Sequence, residues 1–177
     1  IIDIRGNVPT RVEKLIAKDS PYDAIVLARA GLERLDMAQY ITEELDTDIM
    51  CSAPAQGAIA IQCRDDPDFM SYFAPLMHLK TWLAVTAERS FLSALGGGCS
   101  LPVAAYAYID KSILHVHGRV IAIDGSKQID VDGKVGLIRE SNIIASAERI
   151  GGELAHQALN EGAGEILETF QSSISQE

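Results

Sequence analysis

The sequence predicts an α/β segment followed by an α+β segment, and three observations carry that reading. A short, nearly continuous apolar run over residues 22–28 (YDAIVLA) follows an amphipathic stretch and reads as a buried parallel strand. Three alternating stretches between residues 103 and 135 read as antiparallel strands. Apolar residues at helical spacing over 79–95 and 142–159 supply helices to cover that sheet.

The elements follow in order. Residues 1–5 read as a strand, and 7–18 as a helix with Val8, Val12, Leu15 and Ile16 on one face. Either Asn7 caps this helix with Pro9 in its first turn, or Thr10 caps it with Glu13 completing a capping box. With 22–28 this forms a β-α-β unit, whose crossover is expected to be right-handed. A short helix follows over 31–37. Residues 43–62 form a connector, punctuated by Pro54, Gln56 and Gly57 and ending in the apolar AIAIQ of 58–62, where a crossing between domains is expected. A short helix over 69–76 precedes the 79–95 helix, whose apolar positions are Trp82, Leu83, Val85, Phe91, Leu92 and Leu95. Strands then span 103–109, 113–123 and 128–135. Asp124-Gly125 signals a hairpin, and Asp132-Gly133 either a second turn or a bulge. The 142–159 helix carries Ile143, Ala147, Ile150, Leu154 and Ala158 at helical spacing. Gly162 and Gly164 break it before a terminal helix over 165–170.

Length and composition narrow the function. The 177 residues suffice for one ordinary domain or two small ones, and 47% hydrophobic content is ample for a core. A net charge of −10 and a pI of about 4.8 argue against nucleic acid or an anionic membrane as partner. Any anionic ligand then needs a local basic cluster. No apolar stretch reaches the roughly 18–20 residues that span a bilayer, there is no signal-peptide pattern, and three cysteines make no disulfide framework. The cytoplasm is the expected compartment. Ile1-Ile2-Asp3-Ile4 opens without a methionine and inside a strand, so the expectation is a larger protein whose upstream part is missing from this chain.

Two constellations can carry chemistry. Arg5 and Arg11 flank the first strand end and the first helical turn, and Arg29 and Arg34 follow the second strand. Ligands of open α/β sheets bind at such strand ends, and guanidiniums there suit carboxylates or phosphates. The bland alternative is four solvated surface arginines. The second constellation is Cys99, which ends Gly96-Gly97-Gly98 after a helix C-terminus. The helix dipole there disfavours a thiolate, and no second cysteine stands at CxxC spacing. A buried structural cysteine, an attachment point and a nucleophile all remain open from spacing alone. His115 and His117 share one strand face opposite Leu114 and Val116, which places them on the solvent side. No metal site is expected, and Cys51 and Cys63 read as core or loop residues.

Taken together, five ordered blocks resemble the porphobilinogen deaminase (hydroxymethylbilane synthase) family across essentially the whole chain. They are IRGNVPTR at 4–11, YDAIVLA at 22–28, AGLERL at 30–35, PAQGAIAIQCR at 54–64, and AERSFL at 87–92 continuing through GGCSLPVAAY at 97–106. The resemblance implies a transferase of tetrapyrrole (haem) biosynthesis. It joins four porphobilinogens head to tail, releases ammonia at each addition, and yields hydroxymethylbilane. Growth starts on a dipyrromethane cofactor held by a thioether to a cysteine, which corresponds to Cys99. Arg5, Arg11 and Arg34 fall on positions that bind cofactor and substrate carboxylates, and Gln56 and Gly57 on cofactor-contacting backbone. Ala55 stands where the family commonly has glycine, and Gln62 where it often has glutamate.

The resemblance further implies a part of a periplasmic-binding-protein-like α/β domain over 1–57, a first-domain remnant and hinge over 58–78, and a third domain over 79–177. That third domain would hold a three-stranded antiparallel sheet packed on helices. The family's catalytic aspartate falls upstream, so no catalytic residue is assigned here and the chain alone is expected to be inactive. Expected partners are porphobilinogen, the growing oligopyrrole and the missing N-terminal part, in a monomeric protein. The competing readings are an anion-binding module of solute-binding type without covalent chemistry, and a thiol oxidoreductase.

Overall fold

A computed structural model describes residues 1–98, 100–138 and 142–174, which divide into two units, Ile1–Asp46 and Thr47–Glu177. In the first unit, helix α1 (Val8–Ile16) is capped by Asn7, whose side chain accepts the Thr10 N–H at 3.0 Å, with Pro9 in the first turn. The structure thus selects the Asn7 cap over the Thr10 box. Val12 is buried from α1 and Leu32 from α2 (Arg29–Arg34). Asp36 leaves α2 with φ +55°, ahead of a 3₁₀ turn at Ala38–Tyr40.

The expected strands at 1–5 and 22–28 do not form. Neither has a ladder partner among the described residues, and the β-α-β crossover is absent with them. A parallel strand exists only through hydrogen bonds to neighbours, and this unit supplies none. Val26, mid-run, is 63% exposed. Tyr22 Oη, donating to the Asp3 carbonyl at 3.0 Å, links the two segments instead. In the other unit the 58–62 run likewise forms no strand, and Ile59 stands exposed.

The second unit holds the main core. Helix α3 (Pro67–Phe73) starts at the Asp66 cap, which accepts the Asp68 N–H at 2.9 Å, and runs into a 3₁₀ turn at Ala74–Leu76. After α4 (Leu79–Ala94) come β1 (Val103–Asp110), β2 (Ile113–Ile121) and β3 (Gln128–Gly136), in the antiparallel order β1-β2-β3. Lys111 and Ser112 make the first hairpin, both at positive φ, as a two-residue turn of the primed type requires. Asp124-Gly125 makes the second, with Gly125 at φ +72°.

Asp132-Gly133 is neither a turn nor a bulge. Both residues pair in register inside β3, with His117 and Val116. A Cβ at Gly133 would meet Ile150 Cδ1 at 3.0 Å and Leu154 Cδ2 at 3.1 Å, so the glycine makes room for helix α5 (Ile143–Asn160). Asn142 caps α5, and Gly162 at φ +100° turns the chain into α6 (Ala163–Ile174). Gly164 lies inside α6 and does not break it. The inner sheet face, with Leu114, Val116, Val120 and Val131, packs on Leu83, Phe91, Ile150 and Leu154.

Candidate functional site

The sequence-predicted residues fall in three places: Arg5, Arg11 and Arg34 in the first unit, Gln56 and Gly57 in the second, and Cys99 outside the described residues. Arg5 and Arg11 bracket the loop into α1. The Arg5 carbonyl accepts from Lys14 Nζ at 2.8 Å, and Arg11 Nε donates to the Gly6 carbonyl at 2.7 Å. Gly6 sits at φ +128°, where a Cβ would also lie 2.9 Å from Thr10 Cγ2, so the loop that holds Arg11 needs glycine. Arg34 ends α2 and is exposed.

The arginines are not equivalent. Arg29 Nε donates to Glu33 Oε1 at 2.7 Å, and its Nη1 donates to Glu44. The hydrogen bond and charge of Glu33, followed by Glu44, hold its pKa above the ordinary value. Among the described residues, Arg5 and Arg34 have no such carboxylate partner and remain available to an anion.

Gln56 and Gly57 are the exposed half of a turn over 54–57, whose Pro54 and Ala55 are half-buried. The turn is closed by Gln56 N–H to the Ala53 carbonyl at 3.0 Å and Ala58 N–H to the Ala55 carbonyl at 3.2 Å. Gly57 has φ +84° and Ala55 has φ +67°. Ala55 thus occupies a left-handed conformation that costs an L-residue about 1–2 kcal/mol.

The three glycines before Cys99 stand in open space. Gly96, Gly97 and Gly98 all have positive φ, and a Cβ on any of them would meet nothing within 4 Å. Leu95, Gly96 and Gly97 N–H groups cap the last carbonyls of α4. Among the described residues, Cys51 and Cys63 are free thiols, both partly buried. Burial foremost, opposed by Arg119, pushes the Cys51 thiol up. Cys63 Sγ lies 3.7 Å from Met70 Sδ.

Glu88 is the residue that sequence reasoning missed. It is 6% exposed, in the core-facing stripe of α4 with Ala84, Ala87 and Phe91. One carboxylate oxygen accepts the Ala55 N–H at 2.7 Å and the other the Ala107 N–H at 2.8 Å. Burial raises its pKa against the pull of both donors. The available signal was a charge standing on an apolar helical stripe.

The outer sheet face is polar. His115 stacks on Tyr108, with centroids 4.8 Å apart and planes 7° from parallel. His117 Nδ1 lies 2.9 Å from Asp132 Oδ1. Arg119 Nε donates to Asp130 at 2.6 Å and Arg119 Nη2 to the Asp48 carbonyl at 3.0 Å. Burial opposes ionisation of Asp130, but the hydrogen bonds and charges of Arg119, Gln128 and His117 outweigh it and lower its pKa. A cleft of about 490 Å³ lies on this face, between Asp48 and the Tyr106, His115 and Lys134 side of the sheet. It includes none of the predicted site residues.

Comparison with known proteins places the chain among relatives. Residues 1–71 match the family described as "Porphobilinogen deaminase, dipyromethane cofactor binding domain", and residues 82–160 match "Porphobilinogen deaminase, C-terminal domain". A porphobilinogen deaminase of Syntrophotalea carbinolica is 41% identical over 170 residues, covering 94% of this chain and 50% of the relative. One of Thermobifida fusca is 37% identical over 170 residues, covering 94% and 52%. The chain therefore spans about half the length of the curated relatives it matches. With both matches in chain order and the Gly-Gly-Gly-Cys block between the helix and sheet of the second, the chain belongs to the porphobilinogen deaminase family.

Proposed function

We propose that this chain is the part of a porphobilinogen deaminase that carries the primer and half of its anion cleft. The observation that carries the reading is the run of three glycines in open space that precedes Cys99 in sequence, inside a chain matched in order by both family descriptions. When bound through a thioether to Cys99, dipyrromethane supplies the primer on which four porphobilinogens are joined, with one ammonia released at each addition. Three glycines without side chains just ahead of the cysteine in sequence suit the attachment of a bulky group.

The chain's own residues then bind and orient. Each pyrrole brings two carboxylates, and bidentate guanidiniums suit them. Arg5, Arg11 and Arg34 take this role for primer and substrate. Arg29, held by Glu33 and Glu44, does not. Gln56 and Gly57 offer the backbone of the exposed half of their turn to the primer. In a protein of net charge −10, these cations are the local attraction for a polyanionic product.

In this reading residues 1–57 belong to an α/β domain of periplasmic-binding-protein type, 58–78 to a first-domain remnant and hinge, and 79–177 to the cofactor-bearing third domain. No helix among the described residues is long and apolar enough to cross a membrane. A monomer acting in the cytoplasm is proposed. The aspartate that performs acid–base chemistry in the family is not among these 177 residues, so the chain alone is proposed to be inactive. Incubating the 177-residue polypeptide with porphobilinogen and following its consumption tests this. No consumption is expected, and normal turnover overturns the assignment of roles.

A further inference from the structure

We propose that Glu88 is a positioning residue that holds the 54–57 turn in its left-handed form, and so sets the Gln56-Gly57 backbone against the primer. The last clause rests on the function proposed above. A carboxylate on the buried stripe of a helix is costly unless its oxygens are satisfied. Here each oxygen has one backbone donor, Ala55 on the turn and Ala107 on β1. The carboxylate therefore ties the half-buried start of the turn to two rigid elements, α4 and the edge strand of the sheet.

The backbone of the turn explains why it needs tying. Ala55 at φ +67° is in a conformation that glycine adopts freely and alanine does not. A nearby bond, from Ala105 N–H to the Ser52 carbonyl at 3.0 Å, fixes the chain before the turn but leaves the turn itself free. Among the described residues, the Ala55 N–H is the group within the turn that is bonded to the frame, and Glu88 is its acceptor. Two features of the sequence thus compensate each other: an alanine that resists the turn, and a buried acid that enforces it.

The test is made in the primer-loaded protein, with Glu88→Gln, Ala55→Gly and the double variant. Glutamine keeps one accepting oxygen and replaces the other with a donor, so one backbone N–H loses its partner. Amide exchange of residues 52–58 is compared with that of 143–160, and primer occupancy is read by intact mass. In Glu88→Gln we expect exchange of 52–58 to speed at least about tenfold, the scale of one charge-assisted bond. Exchange over 143–160 should stay unchanged and occupancy should fall. Adding Ala55→Gly should recover most of both, because glycine needs no enforcement. Should Glu88→Gln fail to fold, Glu88→Asp, which keeps the charge but shortens the reach, is expected to give the same pattern.

Unchanged exchange over 52–58, equal acceleration over 52–58 and 143–160, or no recovery on adding Ala55→Gly would each overturn the proposal. A parent protein without any adduct on Cys99 overturns the proposed function and the primer clause with it. Exchange over 52–58 in those same samples still decides whether Glu88 holds the turn.

Discussion

Gly118 lies so close under Phe91 that a Cβ on it would stand 2.5 Å from the ring Cζ. The ring, fully buried from α4, fills the hollow that glycine leaves in the middle of β2. Gly118→Ala must displace the ring or bend the strand. A loss of about 1–3 kcal/mol is expected from such overpacking, measured by the urea midpoint. Phe91→Leu in the same protein should recover part of that loss, because the two groups compete for one volume.

Two adjacent glycines of α5 should respond with opposite signs. A Cβ at Gly151 would lie 2.2 Å from the Ala87 carbonyl, where α4 and α5 cross, whereas one at Gly152 would meet nothing within 4 Å. Gly151→Ala should therefore destabilise the protein by forcing the helices apart. Gly152→Ala should stabilise it by roughly 0.5–1 kcal/mol, through helix propensity alone. Thermal unfolding of the two variants side by side decides this, and equal shifts contradict the packing described.

The pH response of stability should carry opposite contributions from Glu88 and Asp130. Burial raises the Glu88 pKa in the fold, so its contribution is fully present below the ordinary glutamate range and is lost as pH rises through the folded value. The parent should lose stability relative to Glu88→Gln on going from acid toward neutrality. For Asp130, burial is outweighed by Arg119, Gln128 and His117, and the pKa is lowered. Its contribution is present above the ordinary aspartate range and is lost as pH falls through the folded value. The parent should lose stability relative to Asp130→Asn in strong acid. Urea midpoints across pH for the three proteins give both slopes.

Arg34 and Arg29, on the same short helix, should separate in function. Arg34 has no carboxylate partner among the described residues, while Arg29 is committed to Glu33 and Glu44. In protein that turns over porphobilinogen, Arg34→Gln should raise KM about 10- to 100-fold, the effect of one lost charge-assisted contact. Arg29→Gln should change it little. Comparable losses from both would put the anion cleft elsewhere.

Much of the second unit was legible in the sequence, because its information is local. Alternation over 103–135 gave three strands within a residue or two, and apolar spacing gave α4 and α5. The first unit was misread where the signal depends on partners. The 22–28 run has the composition of a buried parallel strand, but a strand is a property of a sheet, and no neighbour pairs with it here. The Lys111-Ser112 turn carries no glycine and was invisible to turn chemistry, while Asp132-Gly133 carries one for packing rather than turning. At the candidate site, position in the sequence pointed to four arginines, and the family resemblance singled out Arg5, Arg11 and Arg34 among them. Glu88 was passed over because its partners, Ala55 and Ala107, are backbone groups 33 residues before and 19 after it.

The intact mass of the natively purified protein tests the central claim most directly. Attachment of the primer converts the Cys99 thiol to a thioether, and each of its two porphobilinogen units loses one ammonia on joining. The protein should therefore be heavier than its sequence by two porphobilinogens less two ammonias, with the increment on the peptide containing Cys99 and gone in Cys99→Ser. An unmodified Cys99 in protein that nevertheless binds polycarboxylates would contradict the account, and would leave an anion-binding module without covalent chemistry.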